Sequence, residues 1–170
     1  MENYQIKDYT VNKNTKGITY EKVVEILKNY NRVKDRVLLL EYEINNYTPI
    51  VSGDDVIYQM TFNGLSNQDN LHYDTEQIAM SYEKKADRIN IRHKQELEDE
   101  VCLLKAGNER LNYYIGFLTE RQAKIIRLIY FEGKTITEVS LSMSLSETTV
   151  KTTRRSGINR LLEMYSIISC

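Results

Sequence analysis

Cysteine is scarce in this chain. Cys102 falls in an expected helix and Cys170 is the last residue, which makes neither a disulfide framework nor a metal cluster and points to a reducing compartment. Histidine is equally scarce: His72 and His93 stand apart and form no catalytic or metal-ligating constellation. There is no glycine-rich phosphate loop. On these grounds no cofactor, no metal and no enzymatic activity are expected. No apolar run is long enough to span a bilayer, and the N-terminal residues do not read as a signal peptide, so no membrane role is expected. Proline occurs once, at Pro49. Neither sign of charge dominates, since 23 Lys and Arg face 24 Asp and Glu. Any basic surface must therefore be local.

It is local. Residues 1–72 carry 8 basic and 10 acidic side chains, residues 73–117 carry 7 and 9, and residues 118–170 carry 8 and 5. Within the last segment, Ser146 to Arg160 holds four cations against the single Glu147. This asymmetry is the first sign of function.

Apolar periodicity organises the rest into an all-α chain. Residues 1–17 are polar and without period, and are expected to be partly disordered. Residues 18–117 read as a helical, oligomerising region. Its first helix spans Thr19 to Asn45, with Val23, Leu27, Tyr30, Val33, Val37, Leu40 and Ile44 on one stripe and Leu38 and Leu39 widening it. Pro49, Ser52-Gly53-Asp54-Asp55 and Asn63-Gly64 mark a loop over 46–72, with a short strand expected at Val56 to Phe62. A second long helix spans Tyr73 to Phe117, capped by Asp74 or Thr75. Its stripe is Ile78, Tyr82, Ala86, Ile89, His93, Leu97, Val101, Leu104, Leu111 and Ile115. Near-heptad spacing and a charged exterior make it coiled-coil-like, packed on the first helix or on the same helix of a second chain. Gly107 is a weak point. On this reading His93 and Cys102 pack as apolar groups, Tyr113 and Tyr114 are packing residues, and the acidic run Glu96 to Glu100 is a solvated face.

Residues 118–170 differ. Thr119 caps a helix from Glu120 to Phe131, broken by Gly133. Thr135-Ile136-Thr137-Glu138 is a capping box, and the helix that it starts ends near Met143. Ser146 is the next N-cap, and the last helix runs to about Ser166. Two short helices joined by a tight turn form a helix-turn-helix. Ile136, Val139, Leu145, Val150, Ile158, Leu161 and Leu162 face its core. The candidate DNA-binding residues are Ser146, Glu147, Thr148, Thr149, Lys151, Thr152, Arg154, Arg155 and Arg160. Thr148, Thr149, Lys151 and Thr152 are small or basic groups suited to base edges, while Arg154, Arg155 and Arg160 suit phosphate. Glu147 either meets a base or stabilises the helix N-terminus. The Ser and Thr richness of Glu138 to Arg155 thus has two causes, caps and a groove-facing surface.

The stretch LTERQAKIIRLIYFEGKTITEVSLSMSLSETTVKTTRRSGINRLL resembles region 4 of sigma-70 family factors. It shares the L-x-x-R-Q opening, the apolar helix ending in Y-x-x-G, the T-x-x-E-V first helix and the S-x-x-x-V recognition-helix start. Ser140 and Gly157 stand where alanine is more usual. The wider layout is similar to phage late-gene transcription activators of the RinA/ArpU type. That resemblance implies a regulator of double-stranded DNA in the cytoplasm of a bacterial host, working with the host RNA polymerase as a homodimer or higher homo-oligomer. Other readings of the same features are a small sigma factor, a small-terminase-type packaging protein and a protein-binding module.

Overall fold

The computed structural model describes residues 18–56 and 75–168, and the side chains of 75–79 and 168 lie outside that description. The described secondary structure is helical. Helix α1 spans Tyr20–Asn45, α2 Thr75–Gly116, α3 Glu120–Ile126, α4 Ile136–Met143 and α5 Glu147–Ile168. A π-helical turn, Arg127–Phe131, continues α3, and residues 53–56 make one helical turn. The expected disorder of 1–17, the loop beyond 56 and the cap at Asp74 fall outside the described residues. So does most of the expected strand at 56–62, whose first residue, Val56, closes the helical turn instead.

The described residues form two compact units, one of residues 18–38 with 102–168 and one of residues 39–56 with 75–101. In the first, Val23 and Leu27 of α1 join Leu111, Tyr114 and Ile115 of α2, Leu118, Ile126 of α3, and Ile158, Leu161 and Tyr165 of α5 in a single buried cluster. The α1 stripe has the spacing that the sequence predicts. Thr19 caps the helix, accepting from the Lys22 N–H at 3.3 Å. Leu38 and Leu39 do not widen the stripe: they are 57% and 61% exposed, because they lie off the buried line of Val33, Val37 and Leu40.

Two ties join α1 to the π-helical turn. The Tyr30 and Phe131 rings stack at 3.7 Å, and Asn31 Nδ2 donates to the Phe131 carbonyl at 2.7 Å. A helix end leaves carbonyls without intrahelical partners, and here a side chain from α1 satisfies one. Tyr114 and Tyr165 meet edge to face at 4.8 Å, and burial, with Tyr114 beside it, pushes the Tyr165 phenol up to about 12.

In the second unit Asn90 is the organising residue. Ile89 was expected on the core stripe but is exposed, and Asn90 beside it is buried. The Asn90 Oδ1 accepts from the Ile50 and Val51 amides at 3.0 and 3.1 Å, and its Nδ2 donates to the Val51 carbonyl at 2.8 Å. An irregular backbone segment packed on a helix needs such partners, and this need outweighs hydropathy. Tyr47 Oη donates to the Asn90 carbonyl at 3.0 Å and lies 3.2 Å from His93 Nδ1, so His93 packs against an aromatic ring and hydroxyl rather than on an apolar face. Asn90→Leu leaves two amides and a carbonyl without partners. It is expected to cost about 1–3 kcal/mol and to speed hydrogen exchange at the Ile50 and Val51 amides. Protection unchanged at both would show that Asn90 does not hold this segment.

Helix α2 is continuous through Gly107. Its inner stripe, including Ala86, Val101, Leu104, Leu111 and Ile115, is buried within the chain itself. Cys102, expected to be buried, is exposed because it falls off that stripe. Tyr113 is likewise exposed, at 65%, whereas its neighbour Tyr114 is buried.

Candidate nucleic-acid interface

The C-terminal helices are set by three caps. Thr119 and Gln122 form a capping box for α3, a device that the sequence reading anticipated only as a cap. Thr135 and Glu138 form the expected box for α4: the Thr135 N–H and hydroxyl donate to Glu138 Oε2 at 2.7 and 2.8 Å. Ser146 caps α5, accepting from the Thr149 N–H at 3.1 Å. Between α3 and α4 the chain turns at Gly133, with φ +69°. Between α4 and α5 it turns at Ser144, which takes the left-handed conformation, φ 53°, despite its side chain. The Leu145 amide then donates to the Ser140 carbonyl at 2.9 Å, closing the turn.

The hydrogen bonds to Glu138 hold its carboxyl below the ordinary value of 4.5, with burial opposing weakly. A depressed pKa means that this contribution is present above the unfolded value and is lost as pH falls through the folded one. Thr135→Ala is therefore expected to cost about 1 kcal/mol at neutral pH. The gap between wild type and variant should narrow as the pH drops below the ordinary carboxyl value, by the part owed to the hydroxyl's bond to the carboxylate, while the part owed to the Glu138 amide persists. A gap independent of pH would mean that the bond between the Thr135 hydroxyl and the Glu138 carboxylate contributes nothing.

A small core sits beneath this arrangement. Ile125 and Leu128 of α3 and its π-helical turn, Val139 of α4 and Val150 of α5 are buried together, with Ile129, Ile136, Met143 and Leu145 packed around them. Gly157 lies where α5 crosses α3. A methyl group there would come within 2.9 Å of Ile126 Cδ1 and 3.4 Å of Gln122 Cβ, so glycine permits the close approach. Gln122 also donates to Ser156 Oγ at 3.1 Å, a second tie between these helices.

The structure gathers most of the sequence-predicted residues at the leading half of α5, with Arg160 in its second half. Ser146, Glu147, Thr148, Lys151, Thr152, Arg155 and Arg160 are exposed, and Thr149 is half-buried. Thr148, Lys151, Thr152 and Arg155 recur at gaps of three and four residues on the face away from Val150 and Leu161, one line along a helix. Several are already engaged. Thr149 Oγ1 pairs with Ser146 Oγ at 2.8 Å, and the Thr152 hydroxyl donates to the Thr149 carbonyl at 3.0 Å. Arg160 pairs with Glu163 at 2.8 Å.

Two residues differ from expectation. Arg154 is not on the outward face with the others. It is half-buried, its Nε has no hydrogen-bond partner, and its charge opposes the burial that raises the Tyr130 phenol. The cause is its place on the wheel, close to the buried line of Val150, Gly157 and Leu161. Glu147 accepts from Thr137 Oγ1 at 2.7 Å and pairs with Lys151 at 3.4 Å, so it bridges α4 and α5. The Thr137 hydrogen bond, then Lys151, hold its carboxyl low. Sequence reasoning missed Thr137 and Asn31, and read Tyr30 only as one of the α1 stripe. An exposed Thr and an exposed Asn carry no periodic signal.

Two helices over one small core, joined by a three-residue turn and exposing a polar and basic leading face on the second, define a helix-turn-helix DNA-binding domain. Residues 115–162 match the family Sigma-70, region 4, and the domain is of that type. Comparison with curated proteins and with solved structures gives no match. Among the described residues no helix is long and apolar enough to cross a membrane.

Proposed function

We propose that the protein is a sequence-specific DNA-binding transcriptional regulator, a phage or prophage late-gene activator that works with the host RNA polymerase. The observation that carries the DNA-binding part is the exposed line of Thr148, Lys151, Thr152 and Arg155 at the start of α5, in a domain that matches Sigma-70, region 4. Small hydroxyl side chains let a helix approach base edges closely, and flanking cations hold phosphate. Thr148 and Thr152 read bases in this scheme, with Lys151 and Arg155 beside them, and Ser146 and Thr149 order the helix start. Arg160 meets phosphate once released from Glu163. The late-gene role draws on the layout, in which two long helices precede a C-terminal domain of this kind, as in the activators that the sequence resembles.

Selection from random double-stranded DNA by the purified full chain tests this. An enriched motif that is altered by Thr148→Ala or Thr152→Ala supports a specific regulator. No enrichment, with capture of RNA polymerase, would favour the protein-binding reading. Promoter-specific initiation by core polymerase with this chain as its sole factor would favour a small sigma factor, and a ring oligomer on DNA a packaging protein.

A further inference from the structure

Helix α2 has a second stripe that the chain's own core leaves uncovered. Arg92, Glu96, Asp99, Leu103, Ala106, Arg110, Tyr113 and Phe117 follow one another at alternating gaps of three and four, the spacing of a two-helix seam. All are exposed, and Leu103, Tyr113 and Phe117 are exposed at 56%, 65% and 60%. The Tyr113 and Phe117 rings lie edge to face at 4.9 Å, forming an apolar surface open to solvent.

The charges in this seam select its partner. A parallel, in-register copy would set Asp99 against Asp99 and Arg110 against Arg110, which is repulsive. An antiparallel copy, with its two-fold axis between Leu104 and Lys105, sets Leu103 against Ala106 of the second copy. On either side, Asp99 then meets Arg110 of the second copy, and Glu96 meets the Tyr113 hydroxyl. At the ends, Arg92 lies over the Phe117 ring, a favourable cation–π pairing. Moving the register by one heptad in either direction puts Asp99 against Phe117 or Leu103, so only one register matches charge to charge. We propose that this face of α2 is the interface of an antiparallel homodimer, with two Asp99–Arg110 ion pairs enclosing a Leu103–Ala106 centre. Such an interface is isologous and closes on itself.

Exchange of the charges tests the pairing in the full chain by sedimentation equilibrium, without DNA, so its outcome is separate from that of the DNA-binding reading. Asp99→Arg or Arg110→Glu alone sets like charges face to face twice per dimer and is expected to weaken dimerisation by at least about tenfold. The double variant restores opposite charges and should dimerise nearly as the wild type does. Leu103→Glu should also dissociate the dimer, and all three positions are exposed, so helical content and melting of each variant report that the fold is kept. A wild type that stays monomeric overturns the proposal. So does a dimer indifferent to the single reversals, or a double variant that remains as weak as either single one.

Discussion

Ile126→Ala is expected to lower the stability of the first unit by about 2–5 kcal/mol, the cost of a cavity where a large side chain was fully enclosed. Ile126 is 0% exposed and belongs to the cluster that contains Val23 and Leu27 of α1 as well as Ile158 and Leu161 of α5. The surroundings come from four helices, so none can collapse freely into the gap. A sharper form of the test uses Gly157, whose missing methyl leaves room for Ile126 Cδ1. Gly157→Ala alone gains about 1 kcal/mol of helix propensity but forces a 2.9 Å contact on an enclosed side chain. Overpacking of that kind costs about 1–3 kcal/mol, so the net change should be zero to destabilising. Ile126→Val removes the offending methyl, and in that background Gly157→Ala should become stabilising. Denaturant midpoints of the two single variants and the double settle the point. Strict additivity would show that the two residues do not compete for space.

Removing Lys151 and Arg155 together is expected to have the largest effect on DNA binding. Each phosphate contact releases counterions, so log affinity against log salt should lose a slope of about one unit per residue, about two for the pair. Sequence preference should stay as it was if Lys151, like Arg155, meets phosphate, because such contacts position the helix and do not specify bases, whereas a shifted preference would put Lys151 at a base edge. Thr148→Ala or Thr152→Ala should do the reverse, costing about 1–3 kcal/mol at the preferred site with an unchanged salt slope. Lys151 is paired with Glu147 at 3.4 Å in the free protein, so part of its contribution is spent breaking that pair, and Arg155→Ala should show the steeper loss. A salt slope unmoved by the double substitution would place the phosphate contacts on another face.

The elements were legible where a single physical signal fixed them. Periodic Val, Leu and Ile placed both long helices, and Thr135 with Glu138 placed the start of α4 to the residue. Ser146 and Gly133 were read for the same reason, since a cap and a left-handed breaker are local. The failures share a cause as well. Leu38, Leu39 and Ile89 are apolar but lie off the buried line, while Asn90 is polar and buried because a neighbouring backbone needs it. Hydropathy does not register that need. The π-helical turn was read as plain helix, and its contacts to Tyr30 and Asn31 come from far away in sequence. On the candidate DNA-facing surface the residue types were legible, and the place of Arg154 on the wheel was there to be read, but the Glu147 bridge depends on how α4 and α5 cross, which the sequence does not encode locally.

The tie between Asn31 and Phe131 also sets a clock. The two residues are 100 positions apart, so a ribosome adding about 5–20 residues per second makes the first of them many seconds before the second. Until α5 emerges, Val23 and Leu27 lack the Leu161 and Ile158 that enclose them. The first described helix is thus among the last to find its place, and the nascent chain presents an uncovered apolar face of α1 throughout that wait. A holding chaperone should engage α1 during synthesis and leave it once the C-terminal helices are released.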